Sequence, residues 1–317
     1  MQKLGEREPA RTEGPLAVAP ALSVQFFLIP LAVVAVVVAV YGGFRLMVAD
    51  ERSPEEYLHE IRNGGRDRRW PAAYELARIM AEPETEAQFP GLGAALVRAF
   101  VDSEGDEPRV RRYLALAVGR LESPPVETAA ALTAALDDPD SETVISVIWA
   151  LASLGDEAAV QRVADMYQSP DSGVRKMSVY ALGVMPDDGS HTTLRAALDD
   201  PVPDVQWNAA LALARNGDGR GVRVLRRMLD REYVTGLIDQ DYLAARADAL
   251  VDPASDVMLS GLRAVAALGS ISVAANLRAP VVDLAEADQN LKVRQAAMET
   301  LEALEAPTVR HTIVERQ

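Results

Sequence analysis

Along most of the chain, apolar residues recur every three or four positions, and turn residues interrupt the pattern every ten to fifteen, which predicts short amphipathic helices and no strands. Self-comparison shows a longer period. Pro139, Pro170 and Pro201 stand 31 residues apart, and so do Leu151, Leu182 and Leu213. The same interval links Asp156, Asp187 and Asp218, and also Leu132, Val163, Leu194 and Leu225. A fixed period in this range marks a repeat array. Each unit reads as two helices. In one unit, Leu194, Ala197 and Leu198 give the first helix an apolar face, and Asp199-Asp200-Pro201 ends it, because proline has no amide to donate and clashes with the preceding turn. The second helix starts near Pro203-Asp204 and buries Val205, Ala209, Ala210 and Leu213; Asn216-Gly217-Asp218 closes it, with Gly217 taking the left-handed conformation. One such hairpin cannot shield both of its apolar sides, so the predicted fold class is all-α, an α-solenoid of stacked helical hairpins.

One segment breaks the rhythm. No charged residue occurs from Gly14 to Phe44, and 22–44 is almost wholly apolar. Those twenty-three residues would extend about 34 Å as a helix, against roughly 30 Å of hydrocarbon, so a single transmembrane helix is expected ahead of the solenoid. Pro30 would kink it, and Tyr41 suits an interface. A cleaved signal peptide fits less well, because the apolar run is too long and no Ala-x-Ala site follows. Lys3, Arg7 and Arg11 precede the segment while Arg45, Arg52 and Arg62 follow it, a tie that Arg66, Arg68 and Arg69 tip toward a cytoplasmic solenoid at a bacterial inner membrane. The expected organisation is therefore a flexible tail over 1–21, the membrane helix over 22–44, a juxtamembrane linker over 45–53, the solenoid over 54–305 and a C-terminal tail over 306–317.

Weaker repeats flank the clear ones, at Pro54 to Met80, Gln88 to Leu121 and Val273 to Leu304, for six or seven in all. About 25 extra residues, at about 230–255, separate one first helix from its partner. Insertions in repeat arrays map to loops at one edge, often where binding occurs.

The motif Asp-Pro, a spacer, Val-Arg, then Ala-Ala-x-x-x-Leu-Gly shows here as Pro170 with Val174-Arg175, Ala181, Leu182 and Gly183, and again as Val293-Arg294 with Ala296-Ala297. It resembles HEAT repeats, in particular the short HEAT-like repeats first associated with bilin lyases. The resemblance spans roughly 54–305. It implies a binding surface built from the helices, and for the bilin-lyase relatives a lyase-like or chaperone-like role in attaching a chromophore or cofactor to a client. The Arg position of the motif reads as Ile145 in one repeat and Gln206 in another, so a ladder of Asp–Arg pairs between repeats is expected to be interrupted.

Charge and chemistry narrow the function. With 32 Lys and Arg against 47 Asp and Glu, the net charge of -15 has the wrong sign for nucleic acid. The absence of cysteine removes disulfides, thiolate nucleophiles and Cys-ligated metals. His59-Glu60 has the form of the His-Glu dyads that hold iron in HEAT-fold deoxyhypusine hydroxylases, but it is a lone dyad and reads as helix surface. No Gly-x-Ser-x-Gly elbow or phosphate loop occurs. The pairs Asp137-Asp138, Asp187-Asp188 and Asp199-Asp200 lie too far apart to converge on calcium and read as solvated helix stops. Neither catalytic residues nor a cofactor or metal is expected.

The candidate partner-binding residues are Arg220, Arg223 and Arg227, placed on one helical face with Arg226 beside them, and Tyr233, Leu237 and Tyr242 in the insertion. With Ile238 and Leu243, these insertion residues either cap a gap in the stack or contact a partner. Arg66, Arg68 and Arg69 are either plain surface or an attraction to anionic lipid. Trp70, Trp149 and Trp207 stand in comparable places early in second helices, as core or as binding anchors. The expected function is a membrane-anchored, protein-binding scaffold or assembly adaptor, with a membrane-associated protein complex as partner and 22–44 as the contact with lipid.

Overall fold

A computed structural model of the chain describes residues 30–41, 52–82, 84–185, 191–238, 252–269 and 274–305. Contacts divide it after Ser53. In the first unit, α1 covers 30–41, every residue of it exposed. Its twelve residues rise about 18 Å, short of a bilayer core, and among the described residues no helix is long and apolar enough to cross a membrane. Residues 22–29 and 42–44 of the expected span lie outside the described residues. Pro30 is the first described residue of α1, and the residues before it, on which the expected kink depends, lie outside the described residues.

The second unit has only helices as regular elements among its described residues. It runs α2 (Pro54–Asn63), α3 (Arg66–Ile79), the one-turn α4 (Thr85–Gln88), α5 (Leu92–Asp102), α6 (Pro108–Val118), α7 (Thr128–Ala134), α8 (Ser141–Leu154), α9 (Val160–Asp165), α10 (Ser172–Leu182), α11 (His191–Ala197) and α12 (Pro203–Arg215). Then follow α13 (Val222–Met228), α14 (Arg231–Leu237), α15 (Pro253–Leu268), α16 (Arg278–Ala287) and α17 (Leu291–Glu305). Setting α4 and α14 aside, these pair into seven hairpins among the described residues.

Local chemistry sets the ends of the second helices. Asp140, Asp171 and Asp252 cap α8, α10 and α15 by accepting bonds from the backbone amides of the first turn. Before α12 the capping residue is Val202, whose side chain cannot accept such a bond, and Pro203 starts the helix instead. Gly155 and Gly217 follow α8 and α12 with φ of +66° and +71°, the left-handed turn expected at Gly217. Facing helices bury Leu132, Val163, Leu194 and Leu225 completely, so the 31-residue apolar register is the core itself.

Successive second helices α3, α6, α8, α10, α12, α15 and α17 pack directly on one another, whereas most successive first helices barely touch. An array that is tight on one layer and splayed on the other curves toward the tight layer, so the second helices line its inner side. Small residues permit this spacing. A Cβ added at Gly119 would lie 2.6 Å from the Ala150 Cα, and one at Gly183 would lie 2.5 Å from the Ala212 Cβ.

The inserted segment leaves this order intact. α15 packs on α13 as its hairpin partner and on α12 as its stacking neighbour. α14 packs on α13 and α15, with Val234 fully buried.

Candidate binding groove

Counting from the residue that precedes each second helix puts equivalent positions in register. Trp70 and Trp207 both fall five residues in, together with Lys176. Trp149 falls nine in, with Tyr74, Leu116, Tyr180 and Leu211, so the three tryptophans do not share one place as expected. The two rows run along the inner layer. Toward the start of the array their rings already have partners. Arg109 lies 4.5 Å from the Trp70 ring, Tyr74 meets Tyr113 edge-on at 5.3 Å, and Arg120 covers Trp149 at 5.7 Å while donating to the Ala77 carbonyl. Tyr180, 39% exposed, and the half-buried Trp207 have neither a ring nor a cation partner among the described residues.

Those two open rings lead to the loosest step of the inner layer, where α15 follows α12 across the insertion. A groove opens there. One cavity of about 420 Å3 has Trp207, Leu211, Met228 and Val257 as its apolar wall, with Asn208 and Ser260 in the middle and Lys176, Asp204 and Asp256 at one mouth. A second cavity of about 220 Å3 shares Leu211 and Ser260 with the first and ends at Arg215, Arg263 and Ala264. The two therefore adjoin at these residues. Lys176 is tied to Asp204 at 3.1 Å, but Asp256, Arg215 and Arg263 hold no side-chain partner among the described residues.

The residues expected to bind a partner are distributed differently. Arg220 lies not on α13 but in the single 3-10 turn Gly219–Gly221 before it, 3.8 Å from Asp218. Arg223 holds Asp199 at 2.5 Å, and Arg226 donates to the Asn276 carbonyl at 3.0 Å. Arg227 and Tyr233 do meet, with the guanidinium 5.7 Å from the ring. Leu237, 43% exposed, ends α14, while Tyr242 and Leu243 lie outside the described residues. In the earlier basic run, Arg69 binds Asp106 and donates to the Ile61 carbonyl at 2.6 Å, and Arg68 lies 3.7 Å from Glu60. His59 is exposed on α2, and among the described residues no group of His, Asp and Glu is arranged to hold a metal.

In two acidic pairs read as solvated helix stops, Asp137 and Asp199 are exposed as expected while Asp138 and Asp200 are not, and Asp187-Asp188 lies outside the described residues. Arg175 on α10 reaches into the next repeat and grips Asp200 with two bonds, at 2.9 and 3.2 Å. The Asp200 side chain is only 2% exposed. Burial works to raise its pKa, but the bonds from Arg175 and the Val202 amide outweigh burial and hold it below the usual carboxylate range. Arg111 and Asp138 form the corresponding ion pair at 2.7 Å, without the two bonds, and Arg69 with Asp106 another. The ladder breaks at Val144 and at Gln206. The register of the capping aspartates puts Val144, not Ile145, in the place of Arg175, and the matching acceptor is Ser169 instead of aspartate. Gln206 donates to the Asp200 carbonyl instead. At the last step, α15 has Asp256 where the arginine would stand, and Arg231 from α14 supplies the cation. Arg231 bonds to Asp288 at 2.8 Å through two nitrogens, to Asp252 at 3.0 Å and to Ser255 at 2.9 Å.

Stacked helical hairpins, held by inter-repeat ion pairs and offering one continuous inner surface, place the chain among the α-solenoid repeat proteins. Its residues 94–183 and 166–238 match the family model for HEAT repeats. No curated protein matches the sequence. Among solved structures, the chain is similar to the CpcE and CpcF complex of phycocyanin lyase from Nostoc sp. PCC7120, at 17% identity over 81% of this chain and 96% of that one, TM-score 0.46. It is also similar to a designed armadillo repeat protein in complex with the peptide (KR)4, at 15% identity over 80% and 100%, TM-score 0.41. A third is human deoxyhypusine hydroxylase in complex with glycerol, at 16% identity over 80% and 96%, TM-score 0.31.

Proposed function

We propose that the chain is a scaffold that holds an extended segment of a partner protein along the inner helical layer of its HEAT-type solenoid. One observation carries this reading. The open rings of Tyr180 and Trp207 run into a groove that is apolar on its floor, polar in its middle and charged at both ends. Solvent-facing aromatic and apolar side chains beside an apolar cleft are where binding energy concentrates. The matched HEAT repeats at 94–238 contain most of that layer.

The same proposal includes a tether. The apolar stretch 22–44, of which α1 is the described part, anchors the solenoid beside a bilayer, on its cytoplasmic side, and so restricts partners to membrane-associated complexes. Tyr233 and Leu237 on α14 offer an additional contact at the outer edge, with Arg220, Arg223 and Arg227 as its charged border. No catalytic step is assigned to the scaffold.

A photo-crosslinking residue placed at Leu211 tests the binding reading, with one at Arg162, half-buried on the first helix α9, as control. Capture of a partner at 211 and not at 162 is expected. Equal capture at both, or none at 211, would refute it. Membrane pelleting of the full chain with and without 22–44 tests the tether, which fails if both forms remain in the supernatant.

A further inference from the structure

We infer that the groove between α12 and α15 selects a peptide segment in which a large apolar side chain is followed, two to four residues on, by a carboxylate. The inference rests on the binding reading above and names the chemistry of its ligand. Arg215 and Arg263 are both exposed, both line the smaller cavity, and neither has an acidic or hydrogen-bonding partner among the described residues. Most arginines here differ, although Arg66, Arg98 and Arg227 also lack such a partner among the described residues. Arg69, Arg111, Arg175, Arg223 and Arg231 all hold aspartates, in a chain whose excess of acid over base is 15.

Helix-end electrostatics account for only one of the pair. Cations gain from the helix dipole only in the last turn, which suits Arg215 at the end of α12 but not Arg263, five residues before the end of α15. At the opposite mouth, Asp204 is occupied by Lys176 and Asp256 is bare. The groove is thus anionic at one end and cationic at the other, so it imposes a direction on whatever lies in it.

The spacing follows from helix geometry. Leu211 and Trp207 precede Arg215 by four and eight residues, about 6 and 12 Å along α12. An extended peptide advances about 3.3 Å per residue, so an apolar side chain over Trp207 and Leu211 places a carboxylate at the arginines two to four residues later. Two guanidinium groups suit a carboxylate, which takes paired N–H bonds from each. Between the ends, the amide of Asn208 has no bond among the described residues, and the Ser260 hydroxyl, which donates to the Asp256 carbonyl, keeps its acceptor lone pairs. These two groups can satisfy the backbone of a bound segment.

The test pans a random peptide display library on the immobilised full chain and on its Arg215→Glu/Arg263→Glu variant. Peptides from the parent are expected to carry Asp or Glu two to four residues after an aromatic or branched apolar residue, and those from the variant Lys or Arg in that place. A selected peptide resynthesised with Gln for its acid should bind roughly tenfold more weakly, with the difference shrinking at high salt. Both arginines are solvent-facing and unpaired, so the variant should melt with the parent. Should selected peptides show no acidic bias yet lose binding to Trp207→Ala, the charge inference falls and the groove survives. A failure to enrich any peptide overturns both.

Discussion

Arg175 and Asp200 show what a single pair does in this fold. Removing the arginine alone leaves a carboxylate buried without its cation, which costs about 3 kcal/mol in comparable sites. Arg175→Val should therefore lower the urea midpoint markedly. The double change Arg175→Val with Asp200→Ser should recover much of the loss, because it copies the Val144 and Ser169 step that the chain already tolerates. Equal loss in single and double variants would show that the pair contributes more than mutual neutralisation. Acid dependence follows from the same groups. Asp140, Asp200 and Asp252 are buried enough to favour protonation, but bonds from Thr143, Arg175 and Ser255 respectively outweigh this, and all three carboxyls titrate below their ordinary value. Lowered folded-state values mean stability is fully present above about pH 4, the unfolded range, and drains away as pH falls through the folded values. Chemical denaturation between pH 7 and pH 3 should show that decline, and Asp200→Asn should flatten it. Little of this was legible in sequence. Arg111 and Arg175 are 64 residues apart while Asp138 and Asp200 are 62 apart, so a strict 31-residue register misses the arginine rung even where both partners are present.

Helices meet across surfaces too close for a side chain at two steps. Gly119 faces the Ala150 backbone and Gly183 faces Ala212, so Gly183→Val should force α10 away from α12 and cost about 1–3 kcal/mol by overpacking. Gly236 meets nothing within 4 Å, so Gly236→Ala serves as a neutral control in the same thermal melt. At the far end, Arg231 ties α14 to the turns before α15 and α17. Arg231→Ala should raise amide exchange across α16 and α17 while leaving α6 to α10 protected; uniform acceleration along the chain would contradict this local role. The boundaries at Pro201 and Gly217 were readable, since a proline or glycine signal is local by nature, whereas the caps at Asp140 and Asp171 emerged with the structure. Trp149 was not, because its place depends on where α8 begins relative to its neighbours.

At the scale of the molecule, each repeat touches only the next, so stability should be a sum of units and interfaces. Truncation after Gly269 should then lower the melting temperature yet leave far-ultraviolet helicity per residue nearly unchanged, whereas collapse of the whole array would reveal a longer-range core. The sequence alone determined the helical period, the hairpins and the apolar register that fills the interior. These depend on residues within a few positions of each other, or on spacing that recurs unaltered along the chain. Only the tertiary structure decided which arginine reaches which aspartate, that Arg231 replaces a missing rung, and that the inner layer opens at α12 and α15 between Trp207 and Arg263. Those outcomes join residues 25 to 57 apart through the packing of helices of unequal length, a quantity that no local pattern encodes.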